Sequence, residues 1–465
     1  MNHACVFVLA SGLSGLMITV AMPTSIAAQE SAGITVRREL YVEAPDKKTA
    51  ESRSQRYVNG TGLKRVERKS LTGESDWSTG NFERFSDDNG RTWGEWQDVR
   101  GQIYEAKGDD EIMTYYGNKA YNPQYGHFVS VGMRRIFFDG HHEAYRRFWG
   151  SGQAGFVDHS LMVVQKDGSG EQSIELIKYE EGADYDPEDW RNPAYTNHNR
   201  AYLGNSVDVL ENGDIIFPIA ADIRACCRVR GLNIEDVFPS CPDIMTGMIV
   251  ARGKFNADRG NYDLTFSRPV VISDLKSSRG VSEPSVVMLA SGRILAVFRG
   301  SNVSSKNWKT RIEPGTPAHK WYCYSDDHGA TFTEPVPWHF DDREVIYSSA
   351  TYHRFVRSIK DGRLYWVGNI TDHTAYGNHP RHPLVIVAIN DQGLPIKDSL
   401  AVIDKREEGD SDKVQLSNFA ILQDRETGFI ELYLVKLGQR PGHTWWADCY
   451  RYFIDVAPNA EFREK

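Results

Sequence analysis

Apolar and polar positions run in short alternating stretches along most of this chain, and one unit keeps returning. An apolar stretch leads into a glycine turn and a second apolar stretch follows. The unit occupies residues 209–217, 288–296 and 358–366, with a weaker copy at 422–433. Each copy predicts a β-hairpin joining the first two strands of a sheet. The turn glycines Gly213, Gly292, Gly362 and Gly428 are spaced 79, 70 and 66 residues apart, which sets a repeat of about 70 residues, one sheet per repeat. Residues 50–105 and 120–170, the latter around Val129–Asp139, hold two more sheets and bring the total to six. Amphipathic helical periodicity of useful length is missing, which sets α/β architectures aside. Three stretches interrupt the rhythm: 176–204, 221–245 and 301–318 are long, polar and rich in Pro, Asn and Asp. They read as loops on one face, where binding residues concentrate.

One short sequence is written twice. Ser86-Asp87-Asp88-Asn89-Gly90-Arg91-Thr92-Trp93 and Ser325-Asp326-Asp327-His328-Gly329-Ala330-Thr331-Phe332 share the pattern S-D-D-x-G-x-T-aromatic. Ser and Asp side chains bond the backbone of their own turn, Gly takes the positive-φ position, and the aromatic anchors the hairpin. The pattern resembles the Asp box of the sialidase-like β-propellers. The fold expected is therefore all-β, a six-bladed β-propeller of four-stranded antiparallel sheets over about residues 35–456. The two boxes hold turns and do no chemistry.

Composition agrees with many aromatic-anchored turns: 40 Gly, 11 Trp, 22 Tyr and 20 Phe. A net charge of −9 argues against nucleic acid or an anionic membrane surface as partner. A local arginine cluster can still bind an acidic sugar. Residues 6–22 carry no charge and are followed by small residues at Ser25-Ile26-Ala27-Ala28, so 1–28 reads as a secretory signal peptide. The mature protein is then secreted or periplasmic, without a membrane anchor. Of six cysteines, Cys5 lies in the leader; Cys226, Cys227 and Cys241 share one insertion, where an export-compatible disulfide to Cys241 is expected. A Cys₃ metal site there lacks a fourth ligand. Cys323 and Cys449 lie in strand-like runs and read as buried thiols. Walker, GxSxG and HExxH motifs are absent, and no cofactor or metal is implied.

The chemistry is carried by further resemblances to sialidases. Ser282-Glu283-Pro284-Ser285 and the hairpin ending at Arg299 resemble the sialidase segment whose glutamate and arginine face the central pocket. Glu283 would orient or activate a partner, and Arg299 would bind the substrate carboxylate, a task suited to the bidentate guanidinium. Pro380-Arg381-His382-Pro383 resembles the segment that opens with another carboxylate-binding arginine, giving Arg381 that role. Asp158-His159-Ser160, ahead of Lys166-Asp167-Gly168, resembles the segment of the acid/base aspartate, giving Asp158 the part of proton donor. Two positions depart from the pattern. Tyr121-Asn122-Pro123 stands where sialidases carry Arg-Ile-Pro, which leaves Asn122 as the pocket residue and one arginine missing. Gln415-Leu416-Ser417 puts Leu416 at the place of the nucleophilic tyrosine.

Replacements are at hand in the sequence. Arg53, Arg56, Arg134, Arg135, Arg146 and Arg147 lie in the first two blades, with Arg134-Arg135 reading as a solvated pair. The pair His141-His142 after Phe137-Phe138-Asp139-Gly140 is the first histidine candidate for substrate contact, with His319, His353, His373, His379 and His382 elsewhere. Three readings stay open: a hydrolase acting at the end of an acidic glycan, with Asp158 and Glu283 as its carboxyls; a lyase cleaving a uronic-acid polysaccharide with His and Tyr assistance; and a non-catalytic glycan-binding propeller. The partner in each is an acidic oligosaccharide or polysaccharide.

Overall fold

The computed structural model describes residues 29–31, 33–167, 171–304 and 308–459; the leader 1–28, with Cys5, lies outside the described residues. Six antiparallel sheets form the ring of a six-bladed β-propeller. Blade I contains Ala50–Tyr57, Arg65–Thr72, Gly80–Ser86 and Gln97–Asp98. Blade II runs from Tyr104–Lys107 to Gln172–Leu176 and is built on the long pair His127–Phe137 and Phe156–Lys166. Blade III starts at Ala201–Tyr202 and ends at Asn261–Phe266. Blade IV spans Ser282–Met288 to Val336–Pro337, and blade V Arg354–Arg357 to Ala401–Asp404. Blades I, IV and V have four strands, and the other three add short strands to that plan.

Blade VI closes the ring from both ends of the chain. Ala420–Gln423, Ile430–Val435 and Cys449–Asp455 come from the C-terminal part, and Ile34–Val42 pairs along Cys449–Asp455 as the next strand out. The pairing buries Ile34 and Val36 with Leu432, Tyr452 and Ile454. Most of the apolar core lies in wedges between blades. One wedge joins blades V and VI through Val367, Ile386, Leu416 and Leu432, and another joins IV and V through Trp338, Phe355 and Trp366. The seam between blades VI and I is polar. Arg65, fully buried, donates to Asp424 at 2.5 Å, to Glu431 at 3.1 Å and to Asn89 at 2.7 Å. Removing one partner of such a buried pair costs about 3–5 kcal/mol, because the other charge stays behind without compensation.

The hairpin turns with Gly213, Gly292, Gly362 and Gly428 join the first two strands of blades III to VI, and all four glycines have positive φ. Two helices depart from the sequence reading. His141–Ser151 and Ile223–Arg230 are inserted between the second and third strands of blades II and III. Each is short, and each ends on a left-handed glycine, Gly152 and Gly231, so propensity over a long window did not show them. The expected disulfide is not formed: Cys226, Cys227 and Cys241 are free thiols. The helix turns Cys226 and Cys227 into the apolar core beside Phe238 and Met245. Cys323 and Cys449 are buried thiols. Among the described residues no helix is long and apolar enough to cross a membrane.

The two S-D-D-x-G-x-T copies build the same turn. Ser86 Oγ donates to Asp88 and accepts from Gly90 N–H, and Asp88 accepts from the N–H and hydroxyl of Thr92. Ser325, Asp327, Gly329 and Thr331 repeat those bonds. The second aspartate of each copy therefore holds the turn, while Asp87 and Asp326 point outward to Lys64 and Arg293. The hydroxyl and N–H of Thr331, then Ser325, bring Asp327 down to about 2 from 3.8, and Thr92 with its neighbours depresses Asp88 in the same direction. Their stabilisation is complete above the unfolded carboxylate range and is lost as pH falls through the folded values. The Asp88→Asn/Asp327→Asn double variant should melt below the wild type at neutral pH. The difference should shrink between pH 3.8 and about 2, read from melting temperature against pH. A gap of constant size down to pH 2 would contradict this account.

Candidate active site

Strand direction decides which side chains meet. In blades III to VI the first strand begins on one face and ends at its glycine turn on the other, so the strand starts converge around the axis on one side. The loops between second and third strands open on that same face. An axial cavity of about 1870 Å³ lies there, with walls from all six blades.

Glu283 begins the first strand of blade IV in a left-handed conformation, φ 45°, at a bulge in the pairing of Ser282–Met288 with Ile294–Arg299. A non-glycine residue ahead of a proline is strained there, and such strain persists when neighbours impose it. Asn205 of blade III does so: its side-chain amide donates to the Glu283 carbonyl at 2.9 Å, and its N–H to the Pro284 carbonyl at 2.8 Å. The glutamate is thereby aimed at Arg299 on the adjacent strand end, whose Nη1 donates to Glu283 Oε2 at 2.6 Å. The Nε of Arg299 is buried without a partner.

Two more guanidiniums face the same space. Arg381 is held by the Asn378 carbonyl at 3.1 Å and by Ser417 Oγ at 3.2 Å, neither of which is charged. Burial brings it down to about 10, Arg299 and Arg279 repel its charge, and Glu283 opposes the shift. Arg279, on the loop leading into blade IV, is brought down to about 10 by burial and then by Arg299, against the pull of Glu283 and Asp76. Of the three guanidiniums only Arg299 is bonded to a carboxylate among the described residues, while Glu283 and Asp76 act on Arg279 and Arg381 through space. An anion placed among them would relieve their mutual repulsion and their desolvation together.

Tyr202, at the start of blade III, lines the same cavity. Burial, then the charges of Glu283 and Asp76, push its phenol well above the usual tyrosine value. Asp76 lies on the exposed loop between the second and third strands of blade I, with φ 59°. Its carboxylate lines the cavity and makes no hydrogen bond or ion pair among the described residues.

The cavity wall includes four of the residues expected from the sequence: Asp158, Glu283, Arg299 and Arg381. Asp158 is directly opposite Arg135 in the strand register. Arg135 Nε and Nη2 take both its oxygens at 2.6 and 2.7 Å, while Nη1 donates to Tyr145 Oη at 2.7 Å. Arg135, read from the sequence as solvated, is a buried half of an ion pair. Three expected contacts need correction. Asn122 is fully buried away from the cavity, its amide donating to the Gly213 carbonyl and to Tyr262 Oη, because it ends the inner strand at the opposite face. His141 and His142 open the helix His141–Ser151 and line a small separate hollow behind Trp77. Leu416 packs fully buried in the wedge between blades V and VI, as an apolar side chain must. Among the described residues, no histidine lines the axial cavity.

Sequence reasoning missed Arg279, Asp76 and Tyr202. One signal was available for Tyr202: it precedes Gly213 by 11 residues and Glu283 precedes Gly292 by 9, so both fall near the start of the first strand of their repeats. Asp76 and Arg279 lie on loops outside the repeat and have no such signal.

No protein-family model matches the chain, and no curated protein matches it. Solved structures similar to it include the Trypanosoma rangeli sialidase in complex with 2,3-difluorosialic acid, at 10% identity and TM-score 0.40; the match covers 91% of this chain and 56% of that one. The chain thus spans little more than half of the sialidase's length. An α-L-arabinanase of Penicillium chrysogenum, complexed with arabinobiose, matches at 9% identity over 94% of this chain and 100% of the other, TM-score 0.41. An N-acetylgalactosamine deacetylase from F. plautii matches at 9% identity over 93% and 94%, TM-score 0.37.

Proposed function

We propose that this protein is an exported carbohydrate-active enzyme, a sialidase-like glycoside hydrolase that removes an acidic sugar from the end of a glycan. The observation that carries the reading is the convergence of Arg279, Arg299 and Arg381 on one cavity where, among the described residues, Glu283 is the one carboxylate bonded to any of them. Arg299 and Arg381 keep the roles that the sequence resemblance implies, and Arg279 takes the place of the missing third arginine. A concave site walled by guanidiniums and aromatic rings suits a carboxylated sugar.

The remaining groups divide the chemistry. Glu283, oriented through Oε2 by Arg299, accepts the phenolic proton of Tyr202 as Tyr202 Oη attacks the anomeric carbon. The high phenol value makes that base necessary. Asp76 delivers a proton to the departing glycosidic oxygen; water then displaces Tyr202 from the sugar, its proton passing to Asp76, and Glu283 returns the phenolic proton to the departing Tyr202 oxygen. Asp158 is replaced as proton donor, because both its oxygens are engaged by Arg135 and a proton there would displace one of the two bonds. It acts as the counter-ion that keeps Arg135 and Tyr145 in place. The lyase reading loses its histidines, none of which reaches the cavity wall.

Aryl glycosides of sialic and uronic acids test the assignment. Tyr202→Phe should lower kcat by about 10²–10⁴-fold on the better substrate with little change in KM. Asp76→Asn should do so for poor leaving groups and much less for activated ones, and Arg381→Ala should weaken affinity by about 10–100-fold, the worth of a charged hydrogen bond. Normal turnover in Tyr202→Phe, or ultraviolet absorbance from a new conjugated double bond in the product, would reject this hydrolytic mechanism. Asp158→Ala separates the two aspartates. It should lower stability by about 3–5 kcal/mol in denaturant titration by leaving Arg135 buried and unpaired. An Asp158→Ala protein of normal stability and no turnover would return the proton-donor role to Asp158.

A further inference from the structure

Behind the cavity wall, Glu74, His141 and His142 bring one ligand atom each to within 4.8 Å of one another. They come from two elements. Glu74 lies on loop 73–79 of blade I, two residues before Asp76, and the histidines open the helix His141–Ser151 of blade II. His142 Nδ1 is 3.6 Å from Glu74 Oε2, close to the separation of about 3.3 Å between ligands on a tetrahedral zinc. His141 supplies the second observation. It is only 5% exposed, its Nδ1 has no hydrogen-bond partner, and its ring is held by stacking on Trp77 at 4.3 Å. A buried imidazole nitrogen without a partner is costly unless something occupies it. Glu111, Asp139, Glu143 and Arg146 line the rest of the hollow, and these carboxylates are already paired with Arg100, Arg147, Arg191 and Arg146, so the carboxylate left for a cation is that of Glu74.

We propose that Glu74, His141 and His142 form a binding site for a transition-metal dication of the zinc type. Two imidazoles and one carboxylate are a borderline-soft ligand set that zinc takes readily and that magnesium or calcium, which prefer all-oxygen shells, do not. The metal would tie loop 73–79 to the helix across the seam between blades I and II. Trp77 lines both the hollow and the axial cavity, so the tie would fix the position of Trp77 and, on the reading proposed above, of the catalytic Asp76. Sequence spacing does not show the site, because Glu74 and the histidine pair are far apart along the chain.

The test uses the full-length protein, stripped with chelator and titrated with zinc chloride by calorimetry. One zinc per chain is expected, with no comparable binding of magnesium or calcium. His142→Ala, at an exposed position, and Glu74→Gln, at a half-buried one, should weaken binding by at least 10-fold, while Cys241→Ser and Tyr202→Phe leave it unchanged. No stoichiometric zinc, or zinc lost in Cys241→Ser but kept in His142→Ala, would overturn the site. Hydrogen exchange of loop 73–79 should slow when zinc binds. Unchanged exchange in the loaded protein would overturn the tie. Zinc binding is independent of turnover, so failure of the site and failure of the hydrolase reading are distinguishable.

Discussion

Closure of the ring is the constraint on which everything else depends. Ile34–Val42 is sewn along Cys449–Asp455, so both ends of the chain share the sheet of blade VI, and Arg65 of blade I is locked between Asp424 and Glu431 of blade VI in a buried ionic cluster. Neither strands nor loops of a single blade form the site. Asp76 comes from blade I, Arg135 and Asp158 from II, Tyr202 from III, Glu283 and Arg299 from IV, Arg381 from the loop within V, and Ser417 from the approach to VI. These residues meet only because the ring closes. Loosening the Arg65 seam would move Asp76 relative to Arg381 without touching either.

Electrostatics explains why the cavity stays open to an anion in a protein of net charge −9. Blade I is densely paired: Arg53, Arg56, Arg68 and Arg84 each meet Glu67 or Glu83. At the axis the pairing thins to Arg299–Glu283 and Arg135–Asp158. Among the described residues Arg381 and Arg279 have no carboxylate bonded to them, and each is depressed by burial and by its arginine neighbours. Positive charge is thus carried by buried guanidiniums, where a charge-assisted hydrogen bond is stronger than in water.

The repeat was legible because glycine turns and strand alternation are local. Four of the six sheets follow from the positions of Gly213, Gly292, Gly362 and Gly428, and Glu283 and Arg299 follow from the ends of one hairpin. Contacts that depend on closure were not legible. Asn122 has the right neighbour in Pro123, but its strand runs to the opposite face, so its amide bonds Tyr262. Asp158 was found as a cavity residue, yet its pairing with Arg135 is set by a cross-strand register that sequence does not print. The helix that carries His141 and His142 is too short for its periodicity to show, and it moves the histidines behind Trp77. The cysteines were misread for a similar reason: the helix Ile223–Arg230 turns Cys226 and Cys227 into the core.

The central claim is that Arg279, Arg299 and Arg381 together hold the acid group of a terminal sugar. A crystal structure of the protein soaked with sialic acid or a hexuronic acid tests it most directly. The account predicts the sugar carboxylate within hydrogen-bond distance of all three guanidiniums, with the anomeric carbon facing Tyr202. A sugar bound outside the axial cavity, or bound inside it with its carboxylate turned toward solvent, would contradict the account.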